Sequence, residues 1–363
     1  MAAAGRTCRV AADSRGAARR SGRAARNYNA RVRVHASAPA RVDFAGGTLD
    51  IWPLYLLHEG VQTINAAITI RAECELSPRA EGGLRVIAED TGATAEVAHW
   101  SALDGRPELR LVTRILRFFR PDGITVTTRS GAPVGAGLAG SSALNVALCA
   151  ALARWKGERS IEAERLIDLA LNLEAQTIAV PTGAQDYRPA AYGGVAVLEL
   201  GPAGVRRAPL AVDTAALEAR MTLVYTGHSR NSGINNWEVT KRRIDGDATL
   251  VALFDEIRDV AAAMRRALEA NRWDDVAHHL ALEWDLRKRL APGVTTEALD
   301  ALIGRGLDAG ADAAKVCGAG GGGCVLFLAP PDAGDRVRRA LAGGGARLLP
   351  CGIDTEGLRV TTD

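Results

Sequence analysis

The spacing of apolar residues along the chain switches between the two-residue period of a strand and the 3.6-residue period of a helix. Alternating apolar and polar positions predict strands over residues 31–35, 63–70, 84–88, 221–225 and 324–328. Apolar positions three and four residues apart predict helices over residues 107–119, 142–156, 160–178, 247–270, 273–290 and 296–308. Strands and helices are therefore mixed along the whole chain.

The length of 363 residues suits two packed domains with a cleft between them. The stretch Gly201-Pro-Ala-Gly204 has the composition of a boundary. We therefore predict a first domain over residues 35–203 and a second domain over residues 204–363. Residues 1–34 are set apart as a leader.

The leader is rich in alanine and carries nine arginines against a single acidic residue, Asp13. It lacks the apolar core of a secretory signal. A targeting peptide, a disordered extension and a start codon assigned too far upstream all fit its composition. The net charge of +3 arises largely in the leader, and the remaining body is mildly acidic. This distribution argues against a nucleic-acid partner.

Charged residues interrupt every apolar stretch before it reaches the length of a transmembrane helix, so no membrane partner is expected. The six cysteines include no C-x-x-C pair, and they are typical of reduced residues in a cytoplasmic protein. The sequence leaves the oligomeric state open.

Residues 131–144 read G-A-P-V-G-A-G-L-A-G-S-S-A-L and run into a helix-prone stretch. A loop with so few side chains can bring several backbone N–H groups onto one anion, and the following helix adds the positive end of its dipole. We predict a polyphosphate cradle formed by Pro133, Gly135, Ala136, Gly137, Leu138, Ala139, Gly140, Ser141 and Ser142. An ordinary tight loop before a capped helix is the alternative.

The glycine loop lacks the G-K-[S/T] of a P-loop, and two further segments accompany it. Residues 38–50 read A-P-A-R-V-D-F-A-G-G-T-L-D, and residues 315–324 read K-V-C-G-A-G-G-G-G-C. In this order the three segments resemble the signature of the GHMP kinase superfamily, which phosphorylates small molecules with ATP. Residues 183–194, 225–230 and 284–299 are similar to the sugar kinases of the D-glycero-D-manno-heptose 7-phosphate kinase type.

The resemblance implies a two-domain GHMP kinase fold of the α+β class. The N-terminal, ATP-binding domain is expected to be an α/β unit related to ribosomal protein S5. The C-terminal domain is expected to be a ferredoxin-like α+β unit. The resemblance also implies ATP as the phosphate donor, Mg²⁺ as the cofactor, and a small sugar or sugar phosphate as the partner.

Glu174 falls among the apolar positions of the helix predicted over residues 160–178. A carboxylate that points into a core is costly unless a cation or a dense set of hydrogen bonds meets it. GHMP kinases place a magnesium-binding Glu at the matching position, so the resemblance implies that Glu174 and Ser141 hold the metal. Ser142 remains open as the metal-binding serine, and an ion pair between Glu174 and an arginine is the alternative.

Asp186 lies in a turn bounded by proline and glycine, which suits an exposed loop residue. It matches the Asp that GHMP sugar kinases use as catalytic base, or as orienting carboxylate, for the acceptor hydroxyl. Arg41 matches the basic residue of the first motif and would neutralise charge between Asp186 and the γ-phosphate. A purely structural ion pair between Asp186 and Arg41 is the alternative.

Asp50 matches an Asp with which sugar kinases of the superfamily accept hydrogen bonds from sugar hydroxyls. A helix N-cap role before Ile51 is the alternative. The other expected substrate contacts are Gly46, Gly47, Gly320 and Gly321, where the backbone can approach a ligand closely, and Arg188 with Arg230, whose guanidinium groups suit a phosphate or carboxylate on the acceptor.

These expectations together describe an ATP- and Mg²⁺-dependent sugar kinase that acts on the anomeric hydroxyl of a heptose 7-phosphate or a related sugar. Heptose kinases commonly read Asp-Gln-Tyr where this chain has Asp186-Tyr187-Arg188, which leaves the substrate open. A galactose- or fucose-type kinase on a free sugar is the nearest alternative. A non-catalytic sugar- or nucleotide-binding protein is the alternative of another class, and it would predict loss of Asp186 or Glu174.

Overall fold

The computed structural model describes residues 32–228, 233–342 and 345–363. The predicted leader therefore lies almost entirely outside the described residues, and so does Arg230. No helix in the described part of the chain combines the length and the apolar character needed to cross a lipid bilayer.

A large, mostly antiparallel sheet forms the first half of the structure. Its strands are β1 (Val34–Ala45), β2 (Gln62–Pro78), β3 (Leu84–Ala88), β4 (Ala93–Val97), β5 (Ile124–Ser130), β6 (Val195–Gly201) and β7 (Gly204–Pro209). They are ordered β1-β2-β5-β3-β4, with β6 paired to the first residues of β2 and β7 paired to β6. Strands β3 and β5 run parallel to each other.

Both β1 and β2 are longer than the strands predicted from alternation. Residues 38 to 45 of β1 are all buried, so this part of the strand is covered on both faces. A strand with two buried faces shows no alternation of apolar and polar residues. The alternation therefore predicted only the beginning of β1. The predicted strands over 84–88, 221–225 and 324–328 have the bounds found in the structure.

Helices cover one face of this sheet. They are α1 (Arg110–Phe119), α2 (Gly140–Trp155), α3 (Ala163–Ile178) and the short α4 (Arg188–Tyr192). Helix α2 packs on β1 and β2 and is flanked by α1 and α3, so nearly all of its side chains are buried. A helix that is apolar on all sides is stable only in such a central position. It begins directly after the glycine loop and fixes that loop to the core.

The second half contains a smaller antiparallel sheet with helices packed on it. In chain order its elements are α5 (Thr214–Glu218), β8 (Met221–Tyr225), α6 (Gly233–Ile244), α7 (Ala248–Glu269), α8 (Trp273–Lys288), α9 (Glu297–Asp308), β9 (Ala313–Val316), β10 (Cys324–Leu328), α10 (Gly334–Leu341) and β11 (Arg347–Leu349). The strand order β11-β8-β10-β9 is the order of a ferredoxin-like unit. The predicted two-unit α+β class is confirmed.

The two halves are joined more closely than the sequence predicted. The predicted boundary after residue 203 falls in the tight turn between β6 and β7, and both strands belong to the first sheet. The last strand, β12 (Arg359–Thr362), returns from the second half and pairs with β1. Apolar residues from β1 and β2 share one core with residues of α7, α8 and β10. The two halves therefore share a continuous apolar core.

Candidate active site

Arg41 and Asp43 lie two residues apart on β1, so their side chains leave the strand on the same face. The pairing register with β2 shifts on both sides of them, between Pro39 and Arg41 and between Asp43 and Ala45. Such irregularities re-aim side chains and are common beside active sites. Arg41 and Asp43 are both buried, with exposed fractions of 4% and 1%.

A cleft of about 440 Å³ opens between the halves at this point. Its lining includes every residue of the predicted phosphate cradle together with Arg41, Asp50, Glu174 and Asp186. Four segments far apart in sequence therefore meet around one space. Gly46, Gly47, Arg188, Gly320 and Gly321 are not part of this lining.

The predicted cradle is a tight turn that enters α2. Its backbone is left-handed at Gly135, Gly137 and Ala139, and no side chain caps the start of the helix. The alternative of an ordinary loop before a helix capped by a side chain is therefore not what the structure shows. A Cβ atom on Gly137 would overlap the carbonyl oxygen of Cys317, so this position needs glycine because the second half contacts it.

Arg41 joins the cradle to Asp186. Its Nη1 donates to the Gly137 carbonyl at 2.7 Å, and its backbone N–H donates to the Leu138 carbonyl at 2.9 Å. Its Nε donates to Asp186 Oδ1 at 3.0 Å, and Nη2 donates to the same oxygen. Asp186 sits in a 3₁₀ turn, Ala184–Asp186, with 24% of its side chain exposed, so it remains open to the cleft. Arg41 and Asp186 form an ion pair at the cleft surface.

Glu174 reaches the same cleft from α3. Only 7% of the residue is exposed, and its Oε2 has no hydrogen-bond partner. Burial raises the pKa of Glu174; the hydroxyls of Ser142 and Ser141 oppose this effect, and nearby Asp186 adds to it. Within the described residues Glu174 makes no ion pair with an arginine. A buried carboxylate beside two hydroxyls offers the oxygen ligands that Mg²⁺ prefers, so these residues fit the predicted metal.

Asp50 is fully buried at the wall of the cleft. Its Oδ2 accepts the Gln185 backbone N–H at 2.9 Å, whereas its Oδ1 has no partner. It does not cap the turn that follows it, Leu54–Leu56, whose N-cap is Pro53. Burial, reinforced by the Asp186 carboxylate, raises the pKa of Asp50 to about 7. The free oxygen is available to a ligand that donates a hydrogen bond.

The glycines that were expected to contact the substrate lie in different surroundings. Gly46 lies outside the cleft lining, and its N–H donates to the buried Glu283 Oε1 at 3.1 Å. In the third glycine segment, residues 315–324, Gly320 and Gly321 pack against Val294, and the Gly321 N–H donates to the Val294 carbonyl at 2.6 Å. The residues of this loop that line the cleft are Gly318 and Ala319 instead.

Arg188 lies outside the cleft lining. Its Nη2 donates to Glu164 Oε2 at 2.6 Å, and only 6% of the Arg188 side chain is exposed. The Tyr192 hydroxyl donates to the other oxygen of Glu164 at 2.9 Å. The structure thus places Arg188 in a packing contact between α3 and α4, which removes it from the expected phosphate or carboxylate contact. Sequence could not separate the two roles, because an arginine beside a catalytic turn fits both.

A buried ion pair, not predicted from the sequence, joins the two halves. Lys315 at β9 is fully buried and donates to the Asp43 carboxylate, and to the Asp43 carbonyl oxygen at 3.1 Å. The other Asp43 oxygen accepts the Gly318 N–H at 3.0 Å and lies 3.6 Å from Arg41 Nη1. Burial acts to raise the pKa of Asp43, but Lys315, Arg41 and Arg287 together hold it well below its usual range.

Arg287 on α8 bridges the first and third glycine segments. Its guanidinium donates to the Gly47 carbonyl at 2.8 Å and to the Gly318 carbonyl at 2.9 Å. Glu283, one turn earlier, is completely buried, and burial raises its pKa to about 7 against the opposing charges of Arg287 and Lys315. Charged residues within apolar stretches of the sequence are the signal that could have indicated this network.

Comparisons with known proteins agree with this arrangement. Residues 110–194 match the family described as GHMP kinases N terminal domain, and residues 264–346 match the family described as GHMP kinases C terminal. The chain is 29% identical over 308 residues to the D-glycero-alpha-D-manno-heptose 7-phosphate kinase of Campylobacter jejuni, covering 82% of this chain and 90% of that relative. It is 26% identical over 352 residues to the mevalonate kinase of Thermococcus sibiricus, covering 91% and 98%.

Solved structures share the fold over most of the chain. A D-glycero-D-manno-heptose 1-phosphate kinase from Bacteroides thetaiotaomicron superposes with a TM-score of 0.75 at 25% identity, covering 90% of this chain and 98% of that one. A galactokinase from Lactococcus lactis in complex with galactose has the same fold, with a TM-score of 0.70 at 17% identity and coverage of 90% and 95%.

Proposed function

The chain belongs to the GHMP kinase family and is a kinase, and on this premise we propose that it transfers the γ-phosphate of ATP to a hydroxyl of a sugar. The first choice of acceptor is the anomeric hydroxyl of a heptose 7-phosphate or a related sugar. The observation that carries the proposal is the meeting of the glycine cradle, Glu174 and Asp186 around one cleft. A cytoplasmic location, where ATP is available, is part of the same proposal.

The cradle and the start of α2 would hold the phosphates of ATP. The first residues of the helix, Gly140, Ser141 and Ser142, line the cleft without a side-chain cap, and the helix dipole favours negative charge there. Glu174 with Ser141, and Ser142 as the other candidate hydroxyl, would hold Mg²⁺, which would neutralise charge on the transferred phosphoryl group. Pre-positioned donors of this kind act without further reorganisation.

Asp186 would orient the acceptor hydroxyl and take its proton as the phosphoryl group transfers. Its position at the end of a 3₁₀ turn leaves the carboxylate partly exposed to the cleft. Arg41 fixes one oxygen of that carboxylate and, through the Gly137 carbonyl, the cradle as well. A single side chain therefore links the proposed base to the phosphate cradle. Such positioning is the main contribution that a protein makes to phosphoryl transfer.

One observation favours a free sugar as the second candidate acceptor. In the described part of the chain, the cationic residues that line the cleft are Arg41 and Arg287. Arg41 is engaged with Asp186 and Gly137, and Arg287 with the carbonyls of two glycine segments. Neither offers a free guanidinium fork to a phosphate on the acceptor. A galactose- or fucose-type substrate carries no such phosphate.

A coupled assay of ADP release tests the proposal and separates the acceptors. Purified protein with ATP and Mg²⁺ is offered D-glycero-D-manno-heptose 7-phosphate, D-galactose, L-fucose and mevalonate, with the Asp186→Asn variant as control. We expect ADP release with a sugar, lost in the variant. Turnover of a free hexose with none of the heptose phosphate would replace the first acceptor by the second. Turnover of mevalonate alone would overturn the sugar assignment.

A further inference from the structure

Gln185, directly before Asp186, lines the cleft but has no role in the proposal so far. The residue is 6% exposed, and its side-chain carbonyl oxygen Oε1 is buried without a hydrogen-bond partner. Its backbone N–H donates to Asp50 Oδ2, while Asp50 Oδ1 is also buried without a partner. The backbone bond places the two residues next to each other in the cleft lining, and each has a side-chain oxygen that lacks a donor.

A buried acceptor without a donor lowers stability, because its lost hydrogen bonds to water are not replaced. Native structures rarely leave such groups without a hydrogen bond. Two acceptor oxygens of this kind in a cleft wall therefore indicate that a ligand or a water donates to them. Gln185 Oε1 needs an O–H or N–H donor, and so does Asp50 Oδ1 when the carboxylate is ionised. A carboxylate has no proton to donate and a phosphate monoester is mostly deprotonated at neutral pH, whereas two neighbouring hydroxyls supply two O–H donors.

The position of Gln185 is fixed by its surroundings. The turn that carries it is held to Asp50 by two bonds, since the Ala184 N–H also donates to the Asp50 carbonyl at 3.2 Å. The Gln185 amide nitrogen lies 3.1 Å from the point where a Cβ atom on Gly47 would stand. Glycine at position 47 thus leaves room for the Gln185 side chain beside Arg287. A side chain confined in this way can discriminate between ligands.

We propose that Gln185 determines acceptor specificity: together with Asp50 it accepts hydrogen bonds from two hydroxyls on neighbouring carbons, beside the carbon whose hydroxyl is phosphorylated. This inference rests on the proposed sugar kinase function and deepens it. The substrate class that follows is a sugar with a vicinal diol next to the reacting carbon. For transfer to the anomeric oxygen, the two hydroxyls are those at C2 and C3.

Deoxy substrates test this contact directly. The specificity constant kcat/KM is measured for D-glycero-D-manno-heptose 7-phosphate and for D-galactose, each beside its 2-deoxy and 3-deoxy analogues. We expect the wild-type protein to lose about 10- to 100-fold in kcat/KM on the analogue that lacks the hydroxyl bound by Gln185. In Gln185→Met, which keeps the length but lacks the acceptor, the parent sugar should lose a similar factor and the penalty for that analogue should disappear.

Two further variants separate binding from packing. Gln185→Glu keeps an acceptor oxygen and should retain discrimination against the same analogue. Gln62 on β2 is also buried with an unpartnered Oε1 but does not line the cleft, so Gln62→Met should keep the wild-type ratio between parent and analogue. Melting curves of all variants establish that each is folded.

Equal losses on the parent and on both analogues in Gln185→Met would give the residue a structural role and overturn the inference alone. Unchanged kcat/KM in that variant would do the same, since water would then satisfy the oxygen. Absence of turnover by the wild-type protein on any sugar would overturn the proposed function itself. The two failures are therefore distinguishable.

Discussion

Replacement of Lys315 by Met tests the buried ion pair between the two halves of the molecule. Lys315 is completely buried on β9, and its ammonium contacts only the carboxylate and carbonyl of Asp43 among the bonds described. Met has a similar length and no charge. The variant therefore leaves the packing volume nearly unchanged and removes the positive partner of Asp43.

The expected loss follows from what remains around Asp43. Removing one partner of a buried ion pair typically costs about 3–5 kcal/mol, because the other charge stays buried without compensation. Here Arg41 Nη1 lies 3.6 Å from Asp43 and the Gly318 N–H donates at 3.0 Å, so part of the charge remains compensated. We expect a destabilisation of about 3 kcal/mol, the lower end of that range.

A double-mutant cycle isolates the pair from simple loss of packing. Asp43→Asn alone should also destabilise, because it leaves the Lys315 ammonium buried. Asn still accepts a hydrogen bond from Gly318, so the double variant Asp43→Asn with Lys315→Met removes both charges and keeps that contact. Its loss of stability should be smaller than the sum of the single losses by about 1.5 kcal/mol or more.

Urea denaturation followed by circular dichroism gives the free energies of unfolding. The two halves can unfold in separate steps, so amide hydrogen exchange of β1 and β9 is measured alongside as a local reading. A loss below 1 kcal/mol in Lys315→Met, or strict additivity in the double variant, would refute the assigned role of the pair.

Three other changes test separate parts of the site. Gly137→Ala should destabilise by more than Gly82→Ala, because both backbones are left-handed but only the Gly137 Cβ would overlap the second half; equal losses of about 1 kcal/mol in denaturation would contradict that contact. Glu283→Gln should flatten the pH dependence of stability. In the wild type, the contribution of Glu283 to the free energy of unfolding is present below pH 4.5 and is lost as pH rises through about 7. Between pH 5 and 8 the free energy of unfolding of the variant should therefore gain up to about 3 kcal/mol relative to wild type, and parallel pH profiles would argue against this role of Glu283. Arg188→Met should lower the melting temperature with little change in acceptor KM, and a large rise in KM would restore the substrate contact expected from sequence.

The strongest sequence signals came from backbone requirements. The glycine loop before α2 was predictable because few purely structural reasons place so many glycines ahead of a helix, and the structure puts all of its predicted members in one cleft with Asp186 and Glu174. Glu174 was predictable for a different reason, since an acidic residue within an apolar helical stripe needs a compensating partner.

The positions that escaped prediction depend on packing between distant segments. Asp43 meets Lys315 across 272 residues of sequence, and no local pattern pairs them. Gly320 and Gly321 looked identical to Gly318 in the glycine run, yet only contact with Val294 decides which of them turns from the cleft. The boundary expected after residue 203 coincided with a hairpin, because glycine and proline mark a tight turn as well as a linker.

In the proposed site Asp186 acts on the acceptor hydroxyl, the cradle holds the phosphates of ATP, and Glu174 holds Mg²⁺. Titration calorimetry of ATP with Mg²⁺, together with steady-state kinetics on Asp186→Asn, separates the role of Asp186 from nucleotide binding. For the variant we expect ATP affinity within about threefold of wild type and a fall in kcat of about 100-fold or more. Turnover within a few-fold of wild type, with ATP affinity unchanged, would contradict it.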